Sequence, residues 1–319
     1  MFNKIITFLK EWTLPVAIIG GAALYVIFAF VPALDRASRI FTPVIDAIFP
    51  LFLFLVLFTT FCRIDFHRMR PVRWHLWVGL MQLLFLVAPV LLILYFELTG
   101  KALTMMECLL MTMIAPCASA APVVTSRLEG DLEQMTTYVF ASNLATAVLI
   151  PLVFPLIDPA VDMPFWRSVF AIMQRVAVVL LLPMLLAYLV KHLAPRLHRA
   201  IVGHPNVSFY FWGCSLVIVS GTTVRNIVRS DAAPVFLVAI AVVSLIACLV
   251  QFATGRYIGH YTGHAIETGQ ALGQKNTAFA IWIAGMYLNP LSTVGPGCYI
   301  LWQNFINSLE IWQHDRKKP

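Results

Sequence analysis

The sequence predicts an all-α, polytopic membrane protein with ten transmembrane helices. Composition is the first observation: of the 319 residues, 60% are hydrophobic and 12% are charged, and the mean hydropathy is +0.84. An average soluble domain is about one quarter charged, so this chain lacks the polar surface that water requires. The second observation is a series of apolar segments of membrane-spanning length, and the third is a pair of interruptions at matching places in that series.

A helix that crosses a bilayer needs about 20 mostly apolar residues, and the chain contains ten such segments. They cover residues 14–34, 40–62, 76–98, 103–127, 133–157, 168–191, 207–225, 233–256, 264–287 and 291–313. The connections are short, so no soluble domain is expected between them. The opening stretch MFNKIITFLKEW is not interpreted as a cleaved secretory signal, because the apolar run after it has the length of a span.

The distribution of lysine and arginine predicts the orientation, because cytoplasmic loops carry the excess of these residues. With the N-terminus inside, 14 of the 22 fall on the cytoplasmic side, six fall outside, and Arg175 and Lys275 lie within spans. Both termini are therefore expected in the cytoplasm, and the protein is expected in the plasma (inner) membrane. The net charge of +7 follows from this bias and does not indicate a nucleic-acid partner.

The ten spans divide into two groups of five, residues 1–160 and 161–319. Because five is odd, the second group enters the membrane upside down relative to the first, which is the inverted-repeat plan of many secondary transporters. The fourth and ninth spans hold matching positions in this plan, and both are interrupted. Pro116 and Pro122 interrupt the fourth span, and Gly269 and Gly273 interrupt the ninth.

The two interruptions predict a binding site. Irregular backbone inside a membrane survives only where it is buried in protein or lines a cavity, because each unpaired amide facing lipid costs several kcal/mol. A half-helix that restarts after a break directs its N–H groups and its positive dipole end into that cavity, which suits an anion. The predicted substrate-binding residues are Ser119 at one break and Lys275, Asn276 and Thr277 at the other. The alternative is that these prolines and glycines only kink their helices.

Other functional classes find no support in the sequence. The six cysteines show no CxxC pair, and the eight histidines lie mostly in loops without metal-ligand spacing, so no metal site is predicted. Neither a paired carboxylate nor a nucleophile elbow occurs among the spans, so an enzyme is not expected. The expected partners are membrane lipid and a small organic anion, and nothing marks a protein partner.

Two further segments are IFPLFLFLVLFTTFCRIDFHRMRP and RVAVVLLLPMLLAYLVKHLAPRL. The first resembles the second span and following loop of the bile acid:sodium symporter family, and the second resembles the sixth span of that family. The proline that opens the fourth-span break, the pair Gly130–Asp131 and the glycine-x-x-asparagine Gly273–Asn276 set the register. The resemblance covers nearly the whole chain. It implies a panel and a core built from both halves, with the fourth and ninth spans crossing at their breaks, and secondary active symport of an organic anion with sodium.

The chain departs from this family where the resemblance implies sodium ligands. In the family, a serine and an asparagine after the first break, two hydroxyl-bearing residues of the fifth span, and a glutamate and a glutamine of the ninth span are oxygen donors. At the corresponding places this chain carries Ala121, Pro122, Met135, Val139, Ala271 and Lys275. Methyl groups cannot replace the hydration shell of sodium, so most of the ion's ligands are lost.

We hypothesise that Lys275 stands in for a sodium ion. Its ammonium supplies a fixed positive charge and would repel a second cation by roughly 4 kcal/mol at 4 Å with an effective dielectric near 20. Sodium is then not required as a cofactor, and the carrier is either uncoupled or coupled to protons through release of a proton from the buried amine. The alternative is that Lys275 extends to the membrane interface and binds nothing specific.

A different register keeps sodium coupling open. Glu267 and Gln270, one helical turn earlier, would then supply the ion ligands together with Gln82 of the third span. A further alternative is a non-transporting membrane receptor on the same scaffold. Among the other polar residues, Asn143, Gln303, Asn304 and Glu310 are expected to tie helices together or to line the cavity, and Asp46 and Glu107 are expected to be wetted.

Overall fold

The computed structural model describes residues 13–65, 68–157, 164–204 and 206–317. Over these residues the chain is helical, and its only β-type feature is one isolated bridge. The prediction of an all-α fold is therefore confirmed. Residues 1–12 and 318–319 at the two termini, and the predicted repeat boundary at 160/161, lie outside the described residues.

Each predicted span falls on one helix or on two consecutive helices, with ends that differ by a few residues. The helices are α1 (Thr13–Phe30), α2 (Asp35–Phe61), α3 (Arg73–Tyr95), α4 (Gly100–Ile114), α5 (Ala121–Arg127), α6 (Leu132–Ile157), α7 (Phe165–Val176), α8 (Leu182–Leu193), α9 (Pro195–Val202), α10 (Asn206–Val228), α11 (Pro234–Thr262), α12 (Ala265–Gly273), α13 (Thr277–Tyr287) and α14 (Val294–Lys317). A π-helical turn, Ala177–Leu181, joins α7 to α8. Short 3-10 turns, Pro32–Leu34 and Pro290–Thr293, precede α2 and α14.

Six helices in the described part of the chain are long and apolar enough to cross a membrane. They are Arg39–Phe61, Arg73–Tyr95, Leu132–Ile157, Phe165–Leu193, Tyr210–Val228 and Pro234–Thr262. Val16–Phe30 and Thr277–Tyr287 are shorter apolar helices. Such a series of apolar helices is the architecture of a polytopic membrane protein.

The helices form two compact units, and the first contains residues 1–63 and 182–232. Within it, α1 packs closely on α10, because a Cβ on Gly21 would lie 2.1 Å from the carbonyl oxygen of Val217. Helix α2 is tied to α10 by the hydroxyl of Ser208, which donates to that of Thr59 at 2.8 Å. Small residues and hydroxyl groups thus hold this unit together, as is usual where lipid removes the hydrophobic drive for helix association.

The second unit contains residues 64–181 and 233–319 and holds both predicted breaks. In it α11 ends at Thr262, and the next residue, Gly263, has a φ of 76° that lets the chain turn directly into α12. The two helices then run close together, since a Cβ on Gly255 would lie 2.3 Å from the carbonyl oxygen of Thr268. One buried cluster of this unit consists of Met113, Ala247, Cys248, Phe252 and Tyr299.

Candidate functional site

The first break separates α4 from α5 between Ile114 and Ala121. Pro116 lies inside the gap, and Ala115 before it leaves the helical region with φ −55° and ψ 136°, because a following proline disfavours the helical conformation. Pro122 requires a correction: it lies in the first turn of α5 and not in the gap. Proline is tolerated there because its missing N–H would have no partner in the helix.

The second break separates α12 from α13 at residues 274–276. Gln274 is extended, with φ −93° and ψ 106°. Asn276 is the N-cap of α13, and its Oδ1 accepts a hydrogen bond from the backbone N–H of Phe279 at 3.2 Å. The end of one half-helix and the start of the next are thus separated by only three residues.

Two glycines near the second break serve packing. Gly273 is the last residue of α12, and a Cβ there would lie 2.4 Å from the ring of Phe252. Gly269 was predicted as part of the break but lies inside α12, four residues earlier. A Cβ at Gly269 would lie 2.8 Å from Cγ of Arg256, so the missing side chain leaves room for that stem.

The two breaks meet in a short antiparallel contact between Cys117 and Lys275. Because hydrogen bonds flank this pair, its two side chains are direct neighbours on the same face. The fourth and ninth spans therefore cross at their interruptions within the second unit. The flanking bonds run from Ala118 N to Gln274 O at 2.9 Å and from Asn276 N to Pro116 O at 2.8 Å.

Side chains from other helices satisfy the backbone groups that the first break exposes. A break leaves carbonyl and amide groups without helical partners, and each costs free energy if it is buried alone. Here three carbonyls and one amide find side-chain partners on α3, α6 and α11. These contacts are Gln251 Nε2 to Thr112 O at 3.3 Å, Thr146 Oγ1 to Ile114 O at 3.2 Å, Gln82 Nε2 to Ala115 O at 3.3 Å, and Cys117 N to Ser142 Oγ at 3.0 Å.

Helix α14 does the same for the second break. The hydroxyl of Tyr299 donates to the carbonyl of Gly273 at 2.7 Å. Gln303 accepts from the backbone N–H of Lys275 at 2.8 Å and donates to its carbonyl at 3.2 Å. Gln303 therefore ties helices together, one of the two roles expected for it, and it fixes the backbone of Lys275 from both sides.

The side chain of Lys275 is 1% exposed, and its Nζ has no hydrogen-bond partner within the part of the chain that the structure describes. It therefore does not extend to a membrane interface, which removes that alternative. The buried charged side chains of the described residues are Glu107, Glu267 and Lys275. Both carboxylates accept hydrogen bonds, so the amine of Lys275 is the buried charge that lacks one.

The positions that resemble sodium ligands are buried and apolar. Ala121, Met135, Val139 and Ala271 are all at most 1% exposed. Without oxygen atoms, these four side chains cannot coordinate a cation.

The other predicted substrate-binding residues lie beside the crossing. Ser119 is half-buried in the turn before α5, two residues after Cys117. Asn276 is half-buried and uses its oxygen as the cap of α13, which leaves its amide nitrogen free of that role. Thr277 is buried at the first position of α13. All four predicted residues therefore lie within two positions of the Cys117–Lys275 contact along the chain.

The residues of the alternative sodium register have separate partners. Gln82 is used at the first break, Glu267 accepts a hydrogen bond near the start of α6, and Gln270 donates toward α14. Among the described residues, no hydrogen bond joins any two of the three. Their contacts are Tyr138 OH to Gln82 Oε1 at 3.0 Å, Asp131 N to Glu267 Oε1 at 2.6 Å, and Gln270 Nε2 to Asn307 Oδ1 at 3.0 Å and to Glu310 Oε2 at 2.9 Å.

The four half-helices lie on two sides of the crossing. On one side, Glu107 of α4 accepts a hydrogen bond from the hydroxyl of Ser292, which follows α13. On the other side, Glu267 of α12 reaches Asp131, which follows α5. Helices α4 and α13 therefore share one side, and α5 and α12 share the other. The expectation that Glu107 is wetted is wrong, because it is 3% exposed.

Comparison with known families identifies the relationship of this chain. Residues 50–230 match the family described as the Sodium Bile acid symporter family, which is more than half of the 319 residues. A search among curated proteins gives no match. This family consists of transporters, which supports the expectation that the protein is not an enzyme. The chain is an integral, multi-pass membrane protein that belongs to the sodium bile acid symporter family.

Proposed function

We propose that the protein is a secondary active transporter that moves a small organic anion across the membrane by alternating access. The ten predicted spans form two inverted repeats of five, residues 1–160 and 161–319, with both termini in the cytoplasm. The membrane is the plasma (inner) membrane. The anion and the surrounding lipid are its only partners in this proposal.

Two observations support the inverted-repeat arrangement. Each compact unit draws residues from both halves of the chain. In addition, Glu107 in the first half of one broken helix contacts Ser292, just after the other broken helix, and Glu267 contacts Asp131 in the reciprocal way. Exchanging the two repeats exchanges these contacts, as a pseudo-two-fold axis in the membrane plane requires.

The observation that carries the proposal is the buried, unpartnered amine of Lys275 at the crossing. A buried charge without a partner is costly, and a charge of opposite sign relieves that cost. An organic carboxylate is such a charge. The positive end of α13, which begins two residues later, favours the same ligand.

The neighbouring polar groups orient the anion. Ser119 and Thr277 offer hydroxyl groups, and Asn276 offers an amide nitrogen. These groups donate hydrogen bonds to carboxylate oxygens, and bonds to an ionised acceptor are stronger than neutral ones. Lys275 supplies the positive charge, and the hydrogen bonds from these three residues orient the carboxylate.

Lys275 also replaces sodium in this proposal. The family description names sodium, but four of the positions that the resemblance assigns to sodium ligands, Ala121, Met135, Val139 and Ala271, are apolar and buried. A cation placed 4 Å from the ammonium would be repelled by roughly 4 kcal/mol at an effective dielectric near 20. Transport therefore proceeds without bound sodium.

Flux measurements on the reconstituted full-length protein test this function. Vesicles that contain the protein are given radiolabelled cholate, benzoate or pyruvate, with sodium or potassium as the only alkali cation, and with or without an imposed pH step. We expect uptake of at least one anion at equal rates in the two salts, and its loss in Lys275→Ala.

Two outcomes would contradict the proposal. A strict sodium requirement would show that Lys275 does not replace the ion. Saturable binding of an anion with no flux in any condition would indicate a receptor on a transporter scaffold.

A further inference from the structure

Glu107 is a buried carboxyl group that the proposed anion site does not use. It lies in α4, is 3% exposed, and accepts a hydrogen bond from the hydroxyl of Ser292, which is itself fully buried. Seven residues separate it from the end of α4 at Ile114, which corresponds to about 10 Å along a helix. The carboxyl therefore lies inside the protein, away from both the crossing and the start of α4.

The surroundings of Glu107 connect both broken helices on one side of the crossing. Ser292 belongs to the 3-10 turn Pro290–Thr293, which joins α13 to α14. The thiol of Cys108, the next residue of α4, donates to the carbonyl of Leu291 in the same turn at 3.5 Å. A Cβ on Gly295 would lie 2.6 Å from the carbonyl oxygen of Cys108, so α4 and the start of α14 are in close contact.

The helices that pack against α4 bring no base and no second acid to this region. The stretches of α3 from residue 82, α6 from residue 136, α11 up to residue 254, α13, and α14 up to residue 309 contain no Asp, Glu, His, Lys or Arg. Their titratable groups are thiols and phenols, which are neutral at neutral pH. With Cys108 of α4 itself, these are Cys248, Cys298, Tyr95, Tyr138, Tyr287 and Tyr299. The cations nearest along the chain's elements are Lys101, six residues before Glu107 at the exposed start of α4, and Lys275 at the crossing.

We propose that Glu107 is a proton-binding site that couples anion transport to the proton gradient; this inference rests on the proposed transport function. An ionisable group inside a membrane protein is costly and usually marks an ion or proton pathway. A carboxylate in this position gains a proton from water on one side, forming an O–H bond at one carboxyl oxygen. It returns that proton to water on the other side, so no other reactant is consumed.

Ser292 fits this role because a hydroxyl group both donates and accepts hydrogen bonds. It donates to the ionised carboxylate and can accept from the protonated acid, so the contact persists through both states. A structural tie needs only one of these states. A site that alternates between them needs both, and this contact joins α4 to the turn that follows α13.

Infrared difference spectroscopy tests the site without any anion. Spectra of the full-length protein in lipid vesicles are recorded as the pH is raised stepwise through neutrality, for the wild type, Glu107→Gln and Glu133→Gln. Glu133 is an exposed glutamate at the start of α6 and serves as the matched control. We expect a carboxylic acid carbonyl band that disappears as the pH rises, is absent from E107Q and is present in E133Q. The proposal would be overturned if the wild type showed no titrating carboxylic acid band, or if that band remained in E107Q.

Flux measurements test the coupling. With the carboxylate that the wild type takes up fastest, E107Q should retain exchange of labelled for unlabelled anion but lose accumulation driven by a pH step by about tenfold or more. Glu133→Gln, the same matched control, should exchange and accumulate the anion as the wild type does. Accumulation at the wild-type level in E107Q, or loss of exchange together with accumulation in E107Q, would show that Glu107 is a structural tie only. If no anion is transported, the proposed function fails, while the infrared titration still decides whether Glu107 exchanges a proton.

Discussion

Lys275 combines two properties that rarely occur together, full burial and the lack of a hydrogen-bond partner for its charged nitrogen. The backbone of the same residue is held twice by Gln303. The backbone of Lys275 is therefore fixed in position, while its ammonium group lacks a hydrogen-bond partner among the described residues. A residue that served only packing would not keep this charge, because a methionine of similar shape fills the same space at lower cost.

Lys275→Met should consequently make the protein more stable and less active. Removing the unpaired ammonium removes its desolvation cost, so we expect the free energy of unfolding to rise by roughly 1 to 3 kcal/mol. Anion uptake should fall to background because the ligand loses its counter-charge. Thermal unfolding in detergent and vesicle flux measure the two effects separately.

Lys101→Met is the matched control, since Lys101 is exposed at the start of α4. It should change neither the unfolding temperature nor the uptake. A lower unfolding temperature for Lys275→Met would mean that the amine has a compensating partner and that its charge is not available to an anion.

At the scale of elements, each broken helix is maintained by groups from elsewhere in the second unit. The positions of the spans were predictable, because bilayer thickness dictates the length of an apolar run. The place of the gaps was only partly predictable. Pro116 lies in one, but Pro122 and Gly269 lie in helices, because the effect of a proline depends on its distance from the helix start and a glycine also serves close packing.

The partners of the broken backbone were not predictable from the sequence. Ser142, Gln251 and Tyr299 lie on three different helices, and periodicity does not say which helix faces meet. Gln303 is a polar residue in an apolar span, and such residues often form hydrogen bonds between helices. The sequence did not indicate that its partner is the backbone of Lys275. The four residues proposed to bind substrate could be named from the sequence because a polar stretch at membrane depth is a local property of the sequence.

Gly273→Ala should destabilise the second break. A Cβ there would lie 2.4 Å from the Phe252 ring, which is itself buried, so the ring or the end of α12 must move. We expect a loss of about 1 to 3 kcal/mol in the free energy of unfolding, as is typical of overpacking. Unfolding in detergent measures it, and Phe252→Leu in the same chain should recover part of the loss.

The control is Gly79→Ala in α3, where a Cβ would meet nothing within 4 Å. Alanine favours a helix over glycine, so this change should be neutral or slightly stabilising. If both variants lose stability equally, helix propensity and backbone effects matter here, and contact with Phe252 does not.

At the scale of the whole molecule, the two ends of the first broken helix should lie on opposite sides of the membrane. Lys101 begins α4 and Arg127 ends α5, and both are exposed. In a chain whose six cysteines are replaced, Lys101→Cys should react with a membrane-impermeant maleimide from outside intact cells. Arg127→Cys should react only after the membrane is opened, because the lysine and arginine bias places it inside.

Labelling of both positions from outside would contradict a spanning fourth helix, and the reverse pattern would invert the predicted orientation.

Composition alone predicted a polytopic membrane protein, since no other class combines such hydropathy with so few charges. The grouping of residues 182–232 with the first 63 residues was not evident from spacing, because sequence order does not specify which helices associate.

The crossing is joined by main-chain atoms and braced by residues from remote helices. The hydrogen bonds that join the two breaks use backbone atoms and not the side chains at positions 117 and 275. These two side chains can therefore be substituted without removing those bonds. Substitutions at this pair should change the charge of the substrate that the protein prefers. An acidic residue at position 275 should favour organic cations over organic anions, while the backbone of the crossing stays the same.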